Sequence, residues 1–252
     1  MPKKIVIANW KMNPATLKEA EKLVKGFLAS FSAKKIQVII CPPFVYLEKL
    51  KNIFRKISWG VQNVSCEESG AYTGEISAEM LYNLGTKYVL VGHSERRGMG
   101  ETNEDVNKKI KACLALGLIP ILCVGENERD ENHAYLNFVK NQVLECLAGV
   151  NKNLFPKIIL AYEPIWSIST TINHQDATPA DSLEMTIFIR KILSDLSSPK
   201  IAGEIKIIYG GSVQEKNVGD FLKNGGVDGV LVGKASLDVK KFTEIVNIAE
   251  NL

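Results

Sequence analysis

The residue with the clearest chemical potential is Glu163, which ends an apolar run and precedes a proline. The run Ile158-Ile159-Leu160-Ala161 is β-branched at its start and reads as a parallel strand covered on both faces. Pro164 removes a backbone donor and biases Glu163 toward an extended conformation. The carboxylate therefore belongs at the strand's C-terminal rim, where parallel α/β architectures carry their sites. Burial beside Tyr162 and Trp166 would desolvate it and favour proton uptake, which suits a general base. For an isolated Glu-Pro a solvated loop glutamate is the commoner arrangement, so the rest of the chain has to decide.

Other strand ends add candidates. His93 follows Val91-Gly92 and opens Ser94-Glu95-Arg96-Arg97, the start of a helical turn. A lone histidine is more often structural than catalytic. At a helix N-terminus, however, the dipole disfavours the imidazolium, and a neutral ring can donate to a carbonyl. Glu95 is expected to pair with Arg96. Asn9 and Lys11 follow the first strand, and Lys11 there is a fixed positive charge for an anionic substrate. Gly210-Gly211-Ser212 and Gly233-Lys234-Ala235-Ser236 are each explicable as tight turns. Together, their glycines let backbone N–H groups approach an anion, aided by a following helix. After the last two strands of a barrel they match the common phosphate site of that fold, so a small phosphate ester is the expected substrate.

The elements that must position these residues follow from periodicity. Strands are expected at Ile5-Ala8, Val38-Ile40, Ile57-Val61, Tyr88-Val91, Leu118-Val124, the run ending at Glu163, Ile205-Tyr209 and Val227-Val232. Helical faces fall between them: Leu17, Ala20, Val24, Phe27 and Phe31; Phe44, Leu47 and Phe54; Leu136, Val139, Val143 and Leu147; Val239, Phe242, Val246 and Ala249. Ser77, Thr102 with Asp105, and Thr178-Pro179 with Asp181 read as helix starts. Eight strands alternating with helices predict a closed (β/α)₈ barrel, one domain over residues 1–252. An open doubly wound sheet would want a Gly-x-Gly-x-x-Gly after the first strand, and Asn9-Trp10-Lys11-Met12-Asn13 is not that.

Composition narrows the class. The chain has 252 residues, 46% apolar and 23% charged, with net charge +3. That balance gives no ground for a nucleic-acid or membrane partner, and no apolar run is long enough to span a bilayer. Met1-Pro2-Lys3-Lys4 leads straight into a strand, so no signal peptide is expected. Five cysteines without a C-x-x-C pair argue against zinc and disulfides and fit a cytoplasmic location.

Over its whole length the sequence resembles the triosephosphate isomerase family. The matching stretches are Asn9-Trp10-Lys11-Met12-Asn13, Gly70-Ala71-Tyr72-Thr73-Gly74-Glu75, Val91-Gly92-His93-Ser94-Glu95-Arg96-Arg97, Cys123-Val124-Gly125-Glu126, Ala161-Tyr162-Glu163-Pro164-Ile165-Trp166, Tyr209-Gly210-Gly211-Ser212-Val213 and Leu231-Val232-Gly233. The resemblance implies interconversion of dihydroxyacetone phosphate and glyceraldehyde 3-phosphate with no metal or organic cofactor. Glu163 would move the proton, His93 would polarise the carbonyl, and Lys11 and Asn9 would stabilise developing charge. Backbone N–H groups of Ser212, Gly233, Lys234 and the lid residue Ser169 would hold the phosphate. Ser94 and Glu95 would be supporting residues. A homodimer is implied, with the loop carrying Tyr72 and Thr73 inserted beside the partner's Lys11 and the partner's His93. An aromatic on a polar, glycine-flanked loop fits that use.

Three departures stand out. The family's lid runs Trp-Ala-Ile-Gly-Thr-Gly, whereas this chain has Trp166-Ser167-Ile168-Ser169-Thr170-Thr171. The lid, Pro164 to Ala177, is also longer, and Lys234 replaces the second glycine of Gly-Gly-Ala-Ser. If closure needs a left-handed residue at 169 or 171, a non-glycine costs on the order of 1–2 kcal/mol there. The expectation is an active enzyme whose lid closes less completely and leaks more phosphate.

Overall fold

The computed structural model describes residues 3–30, 34–55, 57–168 and 175–252. Eight strands close into a parallel barrel in chain order: β1 (Ile5–Asn9), β2 (Gln37–Cys41), β3 (Ser58–Val61), β4 (Tyr88–Val91), β5 (Ile119–Val124), β6 (Ile159–Tyr162), β7 (Lys206–Tyr209) and β8 (Gly229–Val232). β1 pairs with both β2 and β8, which leaves no sheet edge. Around the barrel run α1 (Leu17–Ser30), α2 (Phe44–Ile53), α3 (Ala78–Asn83), α4 (Ser94–Gly98), α5 (Asn103–Ala115), α6 (Ala134–Cys146), α7 (Pro179–Leu196), α8 (Pro199–Glu204), α9 (Val218–Asn224) and α10 (Val239–Glu250).

The period-two alternation of strand side chains sorts the core into two layers. Ile5, Ile7, Ile39, Leu90, Ile121, Cys123, Ile159, Ala161, Ile208 and Leu231 fill the barrel interior. Val6, Ala8, Val89, Leu122, Leu160 and Tyr162 face outward against the helices. This parity aims the site. Continuing β1 past Ile7 turns Asn9 inward, and continuing β6 past Ala161 turns Glu163 inward. Both stay buried at the rim, Asn9 at 5% and Glu163 at 2% exposure.

The sequence expectation of a (β/α)₈ barrel holds, with differences in detail. Strand eight begins at Gly229, two residues later than expected, although the Asp228 N–H still donates to the Ile207 carbonyl at 2.7 Å and its carbonyl accepts the Ile5 N–H at 3.0 Å. The short helices α8 and α9 were not expected. Seven residues with three buried side chains, Val218, Phe221 and Leu222, are too few turns to show a helical period. The capping boxes at Thr102–Asp105 and Thr178–Asp181 form as expected. Phe31, expected on the inner face of α1, lies outside the described residues.

Candidate active site

The rim residues converge on one cleft of about 690 Å³. It is lined by Asn9 and Lys11 from the end of β1, His93 after β4, and Glu163 and Ile168 after β6. Gly210, Gly211 and Ser212 come from the end of β7, and Gly233 and Lys234 from the end of β8. Strand ends separated by more than two hundred residues in sequence thus meet because the barrel closes.

Glu163 is set by its backbone neighbours. Its N–H donates to the Val124 carbonyl at 2.8 Å, continuing the β5–β6 ladder for one residue. A Cβ on Gly125 would overlap the Glu163 carbonyl, and one on Gly210 would lie 2.8 Å from Glu163 Cγ. Gly125 is therefore a space requirement of the Glu163 backbone, and Gly210 of its side chain. Its Oε2 accepts the Ser94 N–H at 3.3 Å. Its Oε1 is buried without a hydrogen bond among the described residues and faces His93 Nε2 at 3.5 Å. A buried acceptor left open toward a cleft has capacity to take a proton there. Cys123, inside the barrel, stays a thiol: burial first, and then the negative charge of Glu163, push its pKa well above the ordinary range.

The two free N–H groups at the start of α4 serve two different rim residues. The Ser94 N–H goes to Glu163, and the Glu95 N–H donates to His93 Nδ1 at 3.2 Å. A ring nitrogen that accepts carries no proton, so the His93 proton sits on Nε2, aimed into the cleft. Nitrogen NMR of the labelled protein at pH 7.5 should show one protonated ring nitrogen on His93, Nε2, and a bare Nδ1. A doubly protonated ring would contradict this assignment.

Lys11 has a left-handed backbone, φ +52°, uncommon for a side chain of this size. Two contacts hold it there: the Lys11 N–H donates to Asn9 Oδ1 at 3.0 Å, and Gln62 Nε2 donates to the Lys11 carbonyl at 2.8 Å. Its ammonium pairs with Glu95 Oε1 at 2.6 Å. That pair corrects the expected Glu95–Arg96 contact. Adjacent helical residues point about 100° apart and do not face each other, whereas Glu95 at the first turn of α4 reaches straight across the rim.

A second correction concerns Tyr162 and Trp166, expected to desolvate Glu163. By strand parity Tyr162 points away from Glu163. Its hydroxyl donates to Glu126 Oε1 at 2.8 Å, and Trp166 Nε1 donates to the same oxygen at 2.9 Å. Burial, then the Glu126 carboxylate, raise the Tyr162 pKa far above the usual range. Arg129 lies beside this cluster, 3.4 Å from Glu126 Oε1 and 2.8 Å from Asp181 Oδ1. The residues packed against Glu163 are instead Gly125, Gly210 and His93.

The lid root is more ordered than its sequence suggests: Ile165–Ser167 form a single 3₁₀ turn. Ser169 and the rest of 169–174 lie outside the described residues. At the other end of the cleft, Ser212, Gly233 and Lys234 line the wall beside Lys241, and a short 3₁₀ helix spans Lys234–Leu237. Asp238, the nearby acid, is occupied by the Lys240 and Lys241 N–H groups at the cap of α10. Lys241 Nζ lies 3.8 Å from Glu215 Oε1, and Lys234 adds a further positive charge to this wall, which favours an anion.

Gln62, expected at the rim as a polar residue ending the third strand, supports Lys11, a role the sequence does not show. Ser167, buried behind the base, was not expected in the site. The loss of the family alanine was the available signal for Ser167.

Comparison with known proteins agrees with this geometry. The family model described as "Triosephosphate isomerase" matches residues 4–249. The chain is 42% identical over 250 residues to "Triosephosphate isomerase" of Aquifex aeolicus, covering 97% of this chain and 98% of the relative. It is 43% identical to that of Dictyoglomus thermophilum, covering 98% and 99% of the two chains, and 44% identical to that of Dehalococcoides mccartyi, covering 98% of each.

Proposed function

Because the chain belongs to the triosephosphate isomerase family, we propose that it interconverts dihydroxyacetone phosphate and D-glyceraldehyde 3-phosphate by proton transfer through an enediolate. Glu163 takes the proton from one carbon and returns it to the neighbouring carbon. His93 donates from Nε2 to the substrate oxygen on which charge develops. The Lys11 ammonium stabilises the same charge, and Asn9 keeps Lys11 in its left-handed backbone while facing the substrate. The Ser212, Gly233 and Lys234 end takes the phosphate. The observation that carries this reading is the open Oε1 of Glu163, 3.5 Å from a His93 nitrogen whose partner nitrogen is already committed. In a coupled assay, the purified protein should turn over D-glyceraldehyde 3-phosphate. Absence of turnover would overturn the reading.

The protein works as a homodimer in this account. Gly70 (φ +124°) and Gly74 (φ +91°) bend the loop between β3 and α3 so that Tyr72 projects, 48% exposed. An aromatic held out on a turn gains most by burial against a second surface. Replacing residues 69–74 with a short polar turn should yield monomers with weak activity, because Lys11 and His93 lose the steadying contact. Sedimentation that finds native protein monomeric at micromolar concentration would end this part of the proposal. A cytoplasmic location is supported by the five free cysteines, four of them buried. No helix of the described residues is long and apolar enough to cross a membrane.

A further inference from the structure

Behind the base sits a hydroxyl where the family pattern has alanine. Ser167 is fully buried. Its N–H and its Oγ–H both donate to the Pro164 carbonyl, at 3.0 and 3.2 Å. Pro164 is the residue joined to Glu163, so Ser167 closes the turn that follows the base. The same Oγ lies 3.3 Å from the Tyr209 hydroxyl. With the serine proton spent on Pro164, the tyrosine is the donor. Burial holds that phenol protonated, its pKa pushed up to about 12.

Tyr209 is a rigid anchor. It ends β7, is 1% exposed, and stacks on Phe221 with ring centroids 4.0 Å apart and planes 10° apart. Gly211 leaves the space for the contact: a Cβ there would overlap the Tyr209 hydroxyl and lie 2.7 Å from Ser167 Oγ. The preceding residue is held from the opposite side of the turn, Trp166 Nε1 to Glu126. The Trp166 carbonyl also accepts the Gln175 N–H at 3.1 Å, so the far end of the lid returns to this same turn.

We propose that Ser167 is a positioning residue: through Tyr209 it pins the turn that roots both ends of the lid and fixes the backbone carrying Glu163. The hydrogen-bond chain runs Tyr209 to Ser167 to Pro164, from a rigid strand end to the peptide next to the base. Without it the turn keeps its backbone bonds and the Trp166–Glu126 bond, and the backbone that carries the base loses definition.

The test uses full-length protein, wild type, Ser167→Ala, Tyr209→Phe and the double variant. Hydrogen exchange of the Ser167 and Ile168 amides should speed up about fivefold to tenfold in each single variant. Exchange in β1 and β5 should stay unchanged, and the double variant should be no faster than the singles, because each cuts the same chain. This arm does not depend on turnover. The kinetic arm rests on the isomerase reading: each single variant should lower kcat several-fold with KM little changed, and release more inorganic phosphate per isomerisation. Wild type that fails to isomerise would sink that reading, while the exchange arm would still decide the role of Ser167. Unchanged exchange at 167–168, or single effects that multiply in the double variant, would overturn the proposal.

Discussion

Replacing Glu163 with glutamine should lower kcat by about 10²–10⁴-fold while leaving the fold intact. Glutamine has the same shape, so the tight fit of the side chain against Gly210 survives. Its amide oxygen can still accept the Ser94 N–H that now reaches Glu163 Oε2. What disappears is the ability to hold a proton at the position of Oε1, the oxygen left open toward the cleft. Binding should change far less than turnover, because the phosphate end of the cleft lies on β7 and β8 and is untouched. Steady-state kinetics with a thermal melt check this. Near-wild-type kcat in a folded Glu163→Gln protein would show that another group moves the proton.

The second large effect is expected at Lys11. Lys11→Met keeps the length of the side chain and removes the ammonium. Deleting one group that stabilises developing negative charge costs about 10²–10³-fold in turnover in comparable sites. Stability should hardly change. The lost pair joins side chains 24% and 46% exposed, and pairs so accessible to water contribute roughly 0–1 kcal/mol. The left-handed backbone also persists, because Asn9 and Gln62 hold it through main-chain groups. An activity loss below tenfold would mean that the ammonium serves Glu95 and not the reaction.

These two residues also show how far the sequence reaches. Glu163 and Asn9 were legible because strand parity and a following proline are local, and the barrel supplies a rim for whatever ends a strand. The partners of rim residues were less legible. Glu95 meets Lys11 across 84 positions of sequence, and no local rule connects them; the local guess, Arg96, sits on the wrong side of the helical turn. Tyr162 and Trp166 stand near Glu163 in sequence, yet strand parity sends Tyr162, and the 3₁₀ turn sends Trp166, to Glu126. Ser167 had a visible signal, an altered lid motif, but its meaning depends on the β6–β7 pairing that brings Tyr209 alongside. The expected strain at 169 and 171 falls on residues outside those described.

The central claim is that this protein moves a proton between adjacent carbons of a triose phosphate through Glu163. It is tested most directly by running the conversion of D-glyceraldehyde 3-phosphate in D2O and following the product by proton NMR. The protonated carboxylate either returns the proton it took or trades it with solvent first, so dihydroxyacetone phosphate should appear at enzymatic rate, part of it carrying hydrogen and part deuterium on the protonated carbon. The Glu163→Gln protein should form it slower by the factor given above. Undiminished product formation by the Glu163→Gln protein, or no product at all from the wild-type protein, would contradict the account.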